Sequence, residues 1–91
     1  KEVEGMIDAV EGVLESAVIG VPHRDFGEAV VAVIVRSDDA LAAETVEAAL
    51  ADQLAKFKQP KAILFTDALP RNSMGKVQKA ELRKAHDGLF S

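Results

Sequence analysis

The residues predict an α+β domain: a small sheet of about three strands containing an antiparallel hairpin, flanked by helices, in the order α-β-β-α-β-α. Three observations predict it. Apolar residues open the chain at helical spacing, two β-branched runs are separated only by a short Pro/Gly loop, and a second helical stripe is cut off by Pro60 before another short apolar run.

Val3, Met6, Ile7 and Val10 fall at i, i+3, i+4 and i+7, one face of a helix over about 2–11 that Gly12 stops. Residues 14–21, rich in Val, Ile and Ala, read as a strand ended by Pro22. After the loop Pro22-His23-Arg24-Asp25-Phe26-Gly27, residues 29–35 are apolar at every position, as in a strand covered on both faces. The short link makes the two strands antiparallel neighbours. Ser37-Asp38-Asp39 is a turn. A second helix over about 43–55 carries Val46, Ala49, Leu50, Gln53, Leu54 and Phe57 along one side, and Pro60 blocks its continuation. Ala62-Ile63-Leu64-Phe65 is a short strand, Leu69 to Gly75 a loop with three turn formers, and 79–86 a last short helix.

The 91 residues suit one domain with a thin core. An apolar fraction of 48% and a charged fraction of 29% describe a folded domain. No run is long enough to cross a bilayer and no signal peptide is visible. Cysteine is absent, which excludes disulfides and thiolate metal sites and is compatible with the cytoplasm. The chain opens at Lys1, without Met, inside what reads as a helix; a piece of a longer protein is expected. Charge is segregated. Residues 1–55 carry 3 Lys/Arg against 12 Asp/Glu, and residues 56–84 carry 8 against 2. The second part suits an anionic partner, but a solvated helical face explains it equally well.

Lys76 is the first candidate for chemistry. It follows Gly75 in a loop with Asn72 and Ser73, and a lysine there can deliver a point charge to a phosphate or carboxylate. By residue type alone an exposed lysine in a turn is the better explanation, since Gly-Lys is a common pair. The second candidate is Phe57-Lys58-Gln59-Pro60-Lys61, an aromatic among basic residues, as needed to stack on a base and hold phosphates. The same residues complete the helical stripe and place cations at a helix C-terminus, and the residues alone favour that explanation. His23, Asp25 and Glu28 match no metal-ligand spacing, and His86 has no evident partner. There is no Walker loop, Rossmann fingerprint, nucleophile elbow or zinc spacing. These residues alone would not hold ATP and magnesium, so the chain is expected to supply part of a site.

Leu69-Pro70-Arg71-Asn72-Ser73-Met74-Gly75-Lys76-Val77-Gln78-Lys79 resembles the closing motif of adenylate-forming enzymes: acyl-CoA synthetases, luciferases and peptide-synthetase adenylation domains. Val18 to Glu28 is similar to their C-domain hairpin, Leu54 to Lys61 to the segment before their third strand, and Lys1 to Glu4 to their first helix after the interdomain hinge. The resemblance covers essentially the whole chain. It implies a mobile C-terminal lid domain over residues 1–91, with a large N-terminal domain that binds ATP, Mg2+ and the acid.

By this resemblance, ATP and a carboxylate give an acyl-adenylate, and CoA then displaces AMP to form a thioester. Lys76 would be the catalytic residue of adenylation and a target for a protein acetyltransferase. Phe57, Lys58 and Lys61, with Phe26 on the hairpin loop, would lie near the CoA nucleotide; Gln59 replaces a basic residue of some relatives. The phrases around Phe57 and Lys76 look most like malonyl-CoA synthetases, which makes malonate the expected acid. The resemblance implies no nucleic-acid or membrane partner, a cytoplasmic protein and an inactive isolated fragment. An adenylation subunit that loads a carrier protein, and a free-standing α+β module that binds anions or nucleic acid, are the alternatives.

Overall fold

The computed structural model describes residues 2–55 and 58–90. These form helices α1 (Glu2–Asp8), α2 (Ala43–Ala51) and α3 (Lys79–Ala85) and strands β1 (Val13–His23), β2 (Gly27–Arg36) and β3 (Ala62–Thr66). The order is the expected α-β-β-α-β-α. The sheet order is β1-β2-β3, with β1 and β2 antiparallel and β2 and β3 parallel.

The uninterrupted apolar run of β2 is explained by its central place. Val31, Val33 and Val35 face one cluster with Ala17, Ile19, Val21, Leu69 and the α3 residue Leu82. Ala32 and Ile34 face the other, with Ile7 of α1 and Val46 and Leu50 of α2. Burying each of these branched side chains contributes about 1.5–3 kcal/mol. A domain of this size therefore depends on both faces of one strand. No helix among the described residues is long and apolar enough to cross a membrane.

Several boundaries differ from expectation, and those of α1, β1 and α2 have a clear cause. α1 ends at Asp8 rather than near Glu11, because hydrogen bonds from Val10 N–H to Ile7 O and from Val13 N–H to Val10 O wind the chain into turns. Gly12, at φ 97°, then redirects it into β1. β1 runs through Pro22 to His23. Val18 N–H points away from β2, where Glu4 accepts it, and Pro22 shares that orientation four residues on. Proline therefore removes only an outward-facing donor of an edge strand, which the ladder tolerates. α2 stops at Ala51, yet Leu54 stays in the core and donates its backbone N–H to Leu50 O at 2.9 Å. Phe57, expected on the same stripe, lies outside the described residues.

Candidate functional site

The loop that carries Lys76 is a miniature hairpin. Leu69 anchors its entry in the core, and Val77 packs against the same cluster on its exit. Arg71 and Val77 form an antiparallel bridge, and Gln78 N–H donates to Pro70 O at 2.8 Å. At the tip, Gly75 N–H donates to Asn72 O at 2.9 Å and Asn72 N–H to Lys76 O at 3.0 Å. Gly75 sits at φ 80°, the left-handed position that closes a turn of this kind. Val77 turns inward and its neighbour Lys76 turns outward.

Every backbone polar group of Lys76 is held. Its N–H donates to Asn72 Oδ1 at 3.0 Å. Its carbonyl accepts from Asn72 N–H and, at 2.9 Å, from Gln78 Nε2. Asn72 Oδ1 also accepts from Met74 N–H at 2.9 Å. Arg71 braces the turn from outside, donating from Nη1 to Gly75 O at 2.7 Å and pairing through Nη2 with Glu15 on β1. The Lys76 side chain is exposed, and among the described residues no carboxylate lies within ion-pair distance of its ammonium. A fixed backbone with an uncommitted cation suits an anion brought from outside, such as a carboxylate or phosphate.

The charge segregation has a partly internal explanation. Arg71 pairs with Glu15, Lys79 with Glu4 and Lys58 with Glu2, each joining the basic second part of the chain to the acidic first part. Glu4 is the most enclosed of these carboxylates. Burial acts to raise its pKa, but hydrogen bonds from Lys79 and Val18 N–H and the charge of Lys79 outweigh it and hold Glu4 below the ordinary value.

Of the residues expected near CoA, the structure brings Phe26 and Lys61 together. Lys61 Nζ stands 4.7 Å from the centroid of the Phe26 ring, which is exposed. They line a shallow pocket with Glu28, Ala29, Val30 and Gln59. Lys61 is anchored through its backbone N–H to Val30 O at 2.7 Å. Lys58 does not join them through its charge; its ammonium lies 3.8 Å from Glu2. Phe57 falls outside the described residues. His23 has a use that its spacing did not reveal: its Nδ1 accepts the N–H groups of Asp25 at 3.0 Å and Phe26 at 3.3 Å, and its ring stacks on Phe26.

The two faces lie toward opposite ends of β1. Arg71 reaches Glu15 near its start, whereas the Phe26 loop follows His23 at its end. Eight residues separate Glu15 from His23, roughly 26 Å along a strand.

Sequence reasoning missed the parts played by Asn72, Arg71, Glu4 and His23. For Asn72 the signal was present: Asn three residues before Gly marks a turn closed by a left-handed residue. The pairs Arg71–Glu15 and Lys79–Glu4 span 56 and 75 positions, and only the fold reveals them.

Residues 2–76 match the family described as AMP-binding enzyme C-terminal domain. The chain is 36% identical over 85 residues to the long-chain-fatty-acid–CoA ligase FadD13 of Mycobacterium tuberculosis, covering 93% of this chain and 17% of that protein. It is 45% identical over 84 residues to the 3-[(3aS,4S,7aS)-7a-methyl-1,5-dioxo-octahydro-1H-inden-4-yl]propanoyl:CoA ligase of Rhodococcus jostii, covering 91% and 16%. Among solved structures, ATP-bound MatB from Rhodopseudomonas palustris superposes with a TM-score of 0.96 at 53% identity, over 99% of this chain and 18% of that one. The chain thus spans about a sixth to a fifth of the length of these relatives. It belongs to the family of C-terminal domains of AMP-binding enzymes.

Proposed function

We propose that the chain is the mobile C-terminal lid of an acid–CoA ligase, and that Lys76 is its adenylation residue. The observation that carries this reading is the Lys76 hairpin, in which both backbone polar groups of the lysine are hydrogen-bonded while its ammonium is exposed and uncommitted among the described residues. The relatives named as CoA ligases support the reaction class.

In this reading the N-terminal domain holds ATP, Mg2+ and the acid. Lys76 then brings its charge to the substrate carboxylate and the α-phosphate, where it offsets the negative charge that grows at phosphorus. It also helps hold the two reacting groups together. For thioester formation the domain turns its other face inward. Phe26 and Lys61 meet the nucleotide end of CoA through stacking and charge, and the resemblance adds Phe57 and Lys58 to that face. The distance between the two faces along β1 supports a division of labour between the two steps. Malonate is the acid we propose, from the resemblance around Phe57 and Lys76 and from the likeness to MatB. A cytoplasmic location and control by acetylation belong to the same proposal. Acetylation of the exposed Lys76 would remove the charge that adenylation needs.

The test is Lys76→Ala in the full-length protein, with the half-reactions assayed separately. Adenylation should fall by about 10²–10³, as for loss of one charge-stabilising contact. Thioester formation from supplied acyl-adenylate should largely survive. Equal loss in both would overturn the assignment. Comparing malonate with longer acids tests the substrate.

A further inference from the structure

We propose that Asn72 is a positioning residue, whose side-chain oxygen sets the direction in which Lys76 leaves its loop. The inference rests on the reading of Lys76 as the adenylation lysine.

Asn72 holds both the N–H and the carbonyl of Lys76. Its Oδ1 accepts the Lys76 N–H at 3.0 Å and the Met74 N–H at 2.9 Å, while its own N–H donates to Lys76 O at 3.0 Å. The side-chain oxygen thus occupies the middle of the turn and holds the Ser73–Met74 and Gly75–Lys76 peptide planes. That matters most at this position. Gly75 has a φ of 80° and nothing within 4 Å of where a side chain would be, so its own substituents do not restrain it. Without the acceptor, the Gly75–Lys76 unit would be held only through its carbonyl, by the long Arg71 side chain, and the lysine would sample more directions. The arm from Cα to Nζ is long, so a small rotation at the backbone displaces the ammonium by a large fraction of an ångström. Arg71 and Asn72 hold opposite edges of the same Gly75–Lys76 peptide plane, Arg71 by the carbonyl from an exposed side chain and Asn72 by the N–H from within the turn.

The loop is exposed at Asn72, Ser73, Met74, Gly75 and Lys76. The N–H groups released by removing Asn72 Oδ1 would therefore find water, and the fold should be little disturbed. Loss of aim and loss of stability are separable here, and the experiment uses that separation.

In the full-length enzyme, Asn72→Ala, Asn72→Thr, Lys76→Ala and the double variant with Ala at both positions are assayed for each half-reaction. Asn72→Ala should lower kcat of adenylation by about 10–100-fold, the scale of an ångström-sized misplacement. It should leave thioester formation from acyl-adenylate within about twofold and KM for ATP little changed. Asn72→Thr keeps an oxygen acceptor and should restore most of the rate. The double variant should be no slower than Lys76→Ala, because Asn72 acts only through the lysine. Similar losses in both half-reactions, unaltered adenylation in Asn72→Ala, or a further loss in the double variant would overturn the proposal. So would failure of both Asn72 variants to fold, which would make the residue structural. If Lys76→Ala itself leaves adenylation intact, the adenylation reading falls and this inference with it. If Lys76→Ala abolishes adenylation but Asn72→Ala does not impair it, only this inference falls.

Discussion

Glu4 of α1 and Lys79 of α3 meet across the outer edge of β1. Their carboxylate and ammonium are 2.7 Å apart, and the same carboxylate oxygen accepts the N–H of Val18 at 2.7 Å. Ile7 of α1 packs on one face of the sheet and Leu82 of α3 on the other, so the pair closes an exposed strand edge and joins two layers at once.

A pH dependence follows from this contact. The Glu4 carboxyl is held below its ordinary value in the folded domain, with Lys79 and Val18 N–H outweighing the opposing effect of burial. The folded value lies below the unfolded one, so the stabilisation is present in full above the unfolded value of about 4.3 and is lost as pH falls through the folded value. Glu4→Gln should cost about 1–2 kcal/mol at pH 7, given the partial exposure of Lys79. Urea unfolding should show the variant and the parent converging below about pH 4. A difference independent of pH would mean that the charge is not the source.

The domain should fold by itself yet turn over no ATP with acid. Both apolar clusters are built from residues of this chain, so cooperative unfolding is expected by circular dichroism. Truncating Ile34, which is fully buried, should cost about 2–5 kcal/mol and mark the limit of that stability. Pyrophosphate release by the isolated domain would contradict the division of the site between two domains.

Substitutions at Phe26 and Lys61 should act on CoA. The lysine lies over the ring and both border the same pocket, so Phe26→Ala and Lys61→Ala should each raise KM for CoA. The rise should be about five- to tenfold, at the lower end of base stacking, while KM for ATP stays near that of the parent. His23→Ala should give a smaller rise by releasing the N–H groups of Asp25 and Phe26, and His23→Asn, whose Oδ1 can stand in for Nδ1, should largely reverse it. Unchanged CoA kinetics in all of these would confine the cluster to a structural role.

Gly75→Ala should damage adenylation through the backbone alone. Space is open at that position, but φ of 80° costs a residue with a Cβ about 1–2 kcal/mol. Gly75→Asn should be milder, since asparagine visits that conformation more readily. Rates measured for the two variants should rank Gly, Asn, Ala.

The order of elements was legible because residues 29–35 of β2 are apolar at every position and the helices flank it at their own period. The ends of α1, β1 and α2 were not. Pro22 reads locally as a strand terminator, and only its outward orientation on an edge strand makes it harmless. At the site, Lys76 stood out because glycine precedes it in a turn. Its support was harder to see. Glu15 looks like one acidic residue among many until Arg71 reaches it across the fold. The stacking of His23 on Phe26 likewise depends on the hairpin being formed.

The hydrogen bonds that aim Lys76 all lie within residues 70–78, apart from the brace to Glu15, and the hairpin needs only an apolar seat for Val77 beneath it. The hairpin is therefore a portable cassette. Grafted onto a sister scaffold that offers an acidic side chain at the start of its first strand, these nine residues should present the amine in the same attitude. Evolution or an engineer could then exchange the rest of the domain without rebuilding its working end.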